Sequence, residues 1–205
     1  MKRMSVASMV LLMLPAMTAA ASMELAAFAD KTFCEKVAGS SGDRFVFERD
    51  LSQTIEWVPV DLKGEGPAAR RCSSLDKTVI DLDNDGRTDL VVKATFCMKG
   101  DLSDSLYVFP TDSRVLEEVS WQDLSPLLAT RDKFERTGGT YPLTSLRVAN
   151  GQAPPDLTTT FSLQPFLLDG TTYVGLTDAR REWIVIAKYR GSEQFEDVCY
   201  LHAAN

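Results

Sequence analysis

The chain has 205 residues, 44% of them hydrophobic and 25% charged, with a formal charge of −7. That length suits one domain, or one domain plus a leader, and the composition is that of an ordinary soluble globular protein. A net-acidic chain is a poor partner for nucleic acid, whose binding is driven by cations meeting phosphates, and for an anionic lipid face.

Lys2 and Arg3 open the chain, and an apolar run from Val6 to Met17 follows, broken by Pro15. The small residues Thr18, Ala19, Ala20, Ala21 and Ser22 come next. This order predicts an export signal over 1–21, cut after Ala21, with Ala19 at the minus-three position. Ala27-Phe28-Ala29 offers a second cut, beyond Glu24. The apolar run is too short to span a bilayer, and no later segment is long and apolar enough to do so as a helix. The mature domain, 22–205, is expected in the periplasm or outside the cell.

Cys34, Cys72, Cys97 and Cys199 all follow the leader. An even number in an exported chain predicts two disulfides, for which sequence alone allows three pairings. Cys72–Cys97 would join the strands flanking the acidic loop described below, and Cys34–Cys199 would join the ends of the domain; these two are favoured. The spacings do not suggest zinc or a redox-active pair.

From Ser22 to Val37, Leu25, Phe28, Ala29, Phe33 and Val37 recur at three- and four-residue steps, which predicts an amphipathic helix stopped at Gly39. Phe45 to Phe47 and Thr54 to Val60 read as strands, and Lys63 to Arg71 as a loop. Thr78 to Ile80 is a short strand, and Leu90 to Cys97 the strand that returns from the acidic loop. Lys99 to Asp104 reads as a turn before a strand from Ser105 to Phe109. Ser120 to Arg136 is a second helical segment, its firm part starting at Ser125-Pro126. Asn150-Gly151 marks a turn. Phe161 to Leu168, the turn Asp169-Gly170 and Thr171 to Leu176 form a hairpin. Glu182 to Tyr189 and Phe195 to His202 are two further strands. The expected fold is one mainly β domain with one or two helices, built of antiparallel sheets and stapled by disulfides, with an N-terminal helix and a hairpin around the acidic loop near 78–97.

The chemistry concentrates in Asp81 to Asp89, read D-L-D-N-D-G-R-T-D. Taking Asp81 as position one, Asp83, Asp85 and Asp89 fall at three, five and nine, the Arg87 carbonyl at seven, and Gly86 at the sharp turn. This is the first half of an EF-hand ligand set, but position twelve is Val92 rather than Glu and the flanks read as strands. Four carboxylates in one tight bend repel one another unless a divalent cation lies among them. Calcium suits such oxygen ligands, whereas magnesium wants a smaller octahedral cage and keeps its waters. The stretch Asp81 to Val92 resembles the calcium loop of FG-GAP/VCBS repeats, the blades of integrin-like β-propellers. The resemblance implies Asp81, Asp83, Asp85, Arg87 (through its carbonyl) and Asp89 as Ca2+ ligands, and a propeller-blade-like unit. It covers about fifteen residues. One such loop is present, without the Phe-Gly…Gly-Ala-Pro part, in a chain too short for seven blades.

Elsewhere the chain has no G-x-S-x-G elbow and no glycine-rich phosphate cradle. His202, the single histidine, reads as a surface residue, and Trp57, Trp121 and Trp183 as core. Arg70-Arg71 and Arg180-Arg181 read as solvated loop charges. The expected function is a non-catalytic, calcium-stabilised module that binds a protein or glycan partner through its loops. The rival is an exported hydrolase using carboxylates near the calcium, which requires a concave pocket lined by carboxylates with raised pKa values.

Overall fold

The computed structural model describes residues 23–40, 55–60, 74–98, 101–112, 116, 120, 132–134, 140–141, 147–148, 157–158, 162–177, 182–191 and 195–203. In chain order these form β1 (Met23–Phe28), α1 (Lys31–Ser40), β2 (Val58–Pro59), β3 (Ser74–Ile80), β4 (Asp89–Met98), β5 (Asp101–Pro110), β6 (Asp132–Phe134), β7 (Thr140–Tyr141), β8 (Arg147–Val148), β9 (Leu157–Thr158), β10 (Ser162–Leu168), β11 (Thr171–Thr177), β12 (Trp183–Tyr189) and β13 (Phe195–Ala203). A six-stranded sheet runs β10-β11-β12-β13-β1-β8, a five-stranded sheet β2-β3-β4-β5-β6, and β7 pairs with β9. Every strand pairing among the described residues is antiparallel. Among the described residues the protein is thus mainly β with one helix, and its sheets stack rather than closing a propeller.

Alternation along the strands sorts the side chains into layers. Val185, Ala187 and Tyr189 of β12 face Val91 of β4 and Leu106 of β5 in a core between the sheets. Ile184 and Ile186, pointing the other way, pack with Cys34 and Val37 of α1. The outer face of the five-stranded sheet buries Leu90, Val92, Tyr107 and Phe109 against Leu116. The six-stranded sheet is therefore covered on both faces, which is why W-I-V-I-A in β12 is a nearly unbroken apolar run.

The first predicted helix is overturned in its N-terminal half, where β1 lies between β13 and β8. Its register on β13 shifts between Leu25 and Ala27, leaving Ala26 as an extra residue. Leu25 and Phe28, three apart, consequently face the same core, while Ala26 and Ala27 face the other. A β-bulge has here imitated the helical step. The helix itself starts after Asp30, whose Oδ1 accepts the Phe33 N–H at 3.1 Å as an N-cap. It is joined to β13 by the Cys34–Cys199 disulfide, Cα–Cα 5.6 Å.

Three other expectations are revised. Of the expected strand Thr54 to Val60, residues 55–60 are described, and among them only Val58–Pro59 is strand, on a sheet edge, where a residue without an N–H is tolerated. β5 begins at Asp101, inside the expected turn, because Asp104 is no turn residue: it is buried, its Oδ1 accepting the Thr95 hydroxyl at 2.7 Å and its Oδ2 the Leu163 N–H at 3.0 Å. Asp132–Phe134, expected as helix, is strand β6, recruited by the edge of β5 through Leu106 to Val108. The 45–47 strand, the 63–71 loop, the Asn150-Gly151 turn, residues 121–131 and 135–136 of the expected second helix and Cys72 lie outside the described residues, as do 1–22, and Ser120 is an isolated bridge residue rather than helix. In the last third the expected strands form, and Asp169 and Gly170 turn the β10–β11 hairpin at φ 51° and 76°.

Candidate metal centre

Residues 81–88 connect β3 to β4, and the ladder between those strands closes at Ile80↔Asp89. The bend is made by two left-handed residues, Asn84 at φ 63° and Gly86 at φ 88°. Glycine takes that conformation without a Cβ penalty, and asparagine tolerates it better than most side chains. Leu82 is fully buried in the core between the sheets and anchors the loop. At the exit, the Thr111 hydroxyl donates to the Thr88 carbonyl.

Backbone amides turn inward on the carboxylates. Asp81 accepts the Asp85 N–H at 3.0 Å on Oδ1 and the Gly86 N–H at 2.9 Å on Oδ2. Asp83 Oδ1 accepts the same Asp85 N–H at 3.1 Å, and Asp89 Oδ2 accepts the Leu82 N–H at 3.2 Å. These bonds fix the carboxylates while leaving lone pairs for another partner. Asp81, Asp83 and Asp89 are half-buried, and each offers an oxygen within 4.8 Å of the other two. An acidic group able to hold a metal ion is therefore present.

The expected ligands divide. Asp85 does not join the cluster; its Oδ2 accepts from Arg87 Nε at 3.0 Å and from the terminal guanidinium nitrogen at 2.6 Å, and its Oδ1 accepts the Arg87 N–H at 2.8 Å. The guanidinium bonds, then the backbone one, hold the Asp85 carboxyl below its ordinary pKa. Asp89 moves the other way. Burial raises its pKa, the Leu82 N–H opposes this, and the charges of Asp83, Asp85 and Asp81 raise it further.

An open cleft of about 800 Å³ runs beside the loop, with Asp83, Asp89 and Arg87 on one side and Thr111, Asp112 and Tyr189 among its other walls. His202 is half-buried, its Nδ1 2.9 Å from the Ala203 carbonyl. Trp57 and Trp183 pack against the core between the sheets, as expected of core residues, with Lys93 Nζ 5.0 Å from the Trp57 ring centre. Trp121 and the two arginine pairs lie outside the described residues.

Two residues of the site escaped the sequence reading. Leu82 carried a signal, an apolar residue in an otherwise polar bend. Asn84 carried half of one: its tolerance of a left-handed backbone was legible, but its partner, Thr172, is 88 positions away. A scan against protein-family models and searches of curated proteins and solved structures find no match to this chain.

Proposed function

We propose that the protein is an exported, non-catalytic, calcium-binding module in which the ion fastens the β3–β4 bend and the loops of the domain meet a protein or glycan partner. The observation that carries the reading is the convergence of Asp81, Asp83 and Asp89 oxygens within 4.8 Å. Oxygens at opposite sides of a calcium ion stand about 4.6–5.2 Å apart, so separations of this size suit ligands of a common ion. The FG-GAP/VCBS resemblance of the same stretch supports calcium over other hard cations and adds the Arg87 carbonyl as a further ligand. Asp85, engaged by Arg87, would join only by giving up that pair. Without a bidentate Glu at position twelve the affinity expected is that of extracellular modules, about 10⁻⁴–10⁻³ M. The leader supports export to the periplasm or beyond, and a cut after Ala21 leaves β1 whole. Among the described residues no helix is long and apolar enough to cross a membrane.

Calorimetry with CaCl2 tests this. The parent should give a saturable heat, Asp81→Asn and Asp83→Asn should lose it, and the melting temperature should fall in chelator and recover with calcium. No heat from the parent, with a melt indifferent to chelator, overturns the reading.

One observation favours the rival hydrolase: the cleft holds a carboxyl of raised pKa, Asp89. Its proton affinity comes from burial and from the neighbouring aspartates, whose charge a bound calcium would neutralise. The lone pair a general base needs is then spent on the ion. Calcium-dependent turnover of chromogenic glycosides or esters, lost in Asp89→Asn, would reverse this preference.

A further inference from the structure

The acidic loop is fastened to more than its own hairpin. Odd-numbered Asp81, Asp83 and Asp89 converge on one point, while even-numbered Leu82 and Asn84 reach the other sheet. The Asn84 Oδ1 accepts the Thr172 N–H at 2.7 Å, and its Nδ2 donates to the Thr172 carbonyl at 3.1 Å. Thr172 lies in β11, one residue beyond the pair Leu168↔Thr171 that flanks the turn. In a two-residue hairpin that flanking pair exchanges backbone bonds, so the polar groups of Thr172 face away from β10. On that side the β11–β12 pairing ends at Val174↔Ala187. The Asn84 amide therefore continues the ladder along β11 past the point where β12 ceases to pair with it, as a peptide group of a neighbouring strand would.

We propose that Asn84 is a positioning residue that couples cation binding at Asp81, Asp83 and Asp89 to the docking of the β10–β11 hairpin, so that the loop closes on the ion and on the second sheet together. This rests on the calcium reading above. Asn84 stands between Asp83 and Asp85, and its left-handed φ sets the direction in which both flanking residues leave the bend. An ion that orders Asp83 orders the Asn84 backbone and presents its amide to Thr172. By linkage, a Thr172 edge that holds the amide raises the affinity for the ion by the same factor.

The variant of choice is Asn84→Gly, which removes the amide and keeps the left-handed conformation free of strain. Two readouts are taken with and without CaCl2: the calorimetric affinity, and amide hydrogen exchange at Thr172, with Val185 in the core as a folding control. In the parent, calcium should slow exchange at Thr172. In Asn84→Gly the affinity should fall by about tenfold, and exchange at Thr172 should be fast and indifferent to calcium. Should Val185 show that the glycine variant is unfolded, Asn84→Gln, whose longer side chain displaces the amide, takes its place with the same expectations. Parental affinity in the variant, or Thr172 exchange in the parent that ignores calcium while heat is released, overturns the coupling and leaves the calcium reading standing. A parent that releases no heat removes both.

Discussion

At the residue scale, Asp89 shows what the loop suffers without an ion. Its folded pKa is raised, chiefly by burial, above the unfolded value near 3.9. The folded chain then holds the proton more tightly than the unfolded chain. This contribution to stability is fully present below the unfolded value and is lost as pH rises through the folded one. In Asp89→Asn nothing titrates there, and the amide oxygen still accepts the Leu82 N–H. In chelator, the variant should melt above the parent at neutral pH, with the difference shrinking toward zero near about pH 4. In saturating calcium the sign at neutral pH should invert, because a ligand has been lost. A difference that ignores both pH and calcium would show that Asp89 feels neither burial nor ion. Leu82 is the apolar counterpart: fully buried between the sheets, it should cost about 2–5 kcal/mol on Leu82→Ala, read by denaturant unfolding. The ligand spacing was legible because it is local. That Asp85 would turn to Arg87 was not, since an Arg two residues on reads equally as a carbonyl donor and as an ion-pair partner.

At the element scale, the strands from Ser162 to Ala203 were legible because β-branched and aromatic residues fill them and because Asp169-Gly170 announces the turn between β10 and β11. β1 was not, because the bulge at Ala26 puts Leu25 and Phe28 on one face at a three-residue step. β6 was not, because it is strand by virtue of β5's edge rather than of its own sequence. The placement of β1 also bears on the two cuts expected of a leader, since the second would remove this strand. It is an interior strand, flanked by β13 and β8, with Met23 and Ala27 buried on opposite faces. A chain beginning at Asp30 would strip the β13 edge and open both layers, and such an edge invites aggregation. A chain beginning at Ser22 should therefore express as a soluble, cooperatively melting protein, and one beginning at Asp30 should be insoluble or molten. N-terminal sequencing of exported protein should read from Ser22. Equal behaviour of the two chains would mean that β1 is dispensable.

At the scale of the whole molecule, two fasteners act on opposite faces of the six-stranded sheet. Cys34–Cys199 joins α1 to β13 in the helix-side core, closing 165 positions of chain. The acidic loop, with Leu82 in the other core and Asn84 on Thr172, joins the five-stranded sheet to the β10–β11 hairpin. Pairing of the chain ends was expected from the cysteines alone, but the stacking of layers was not, since nothing local says which faces of two sheets will meet. In the chain-entropy account a disulfide closing so long a loop contributes on the order of 5 kcal/mol, by restricting the unfolded chain. A bound ion would act on the folded side instead, by occupying a site that the unfolded chain does not assemble. The two contributions have different origins and lie in layers separated by a sheet, about 10 Å apart, where independent effects add to within about 0.5 kcal/mol. Cys34→Ser with Cys199→Ser, melted in calcium and in chelator, should lose the same free energy to the chelator as the parent does. A smaller loss in the variant would mean that the helix-side core must be intact for the loop to form, and the six-stranded sheet would then be transmitting order between its faces rather than separating them.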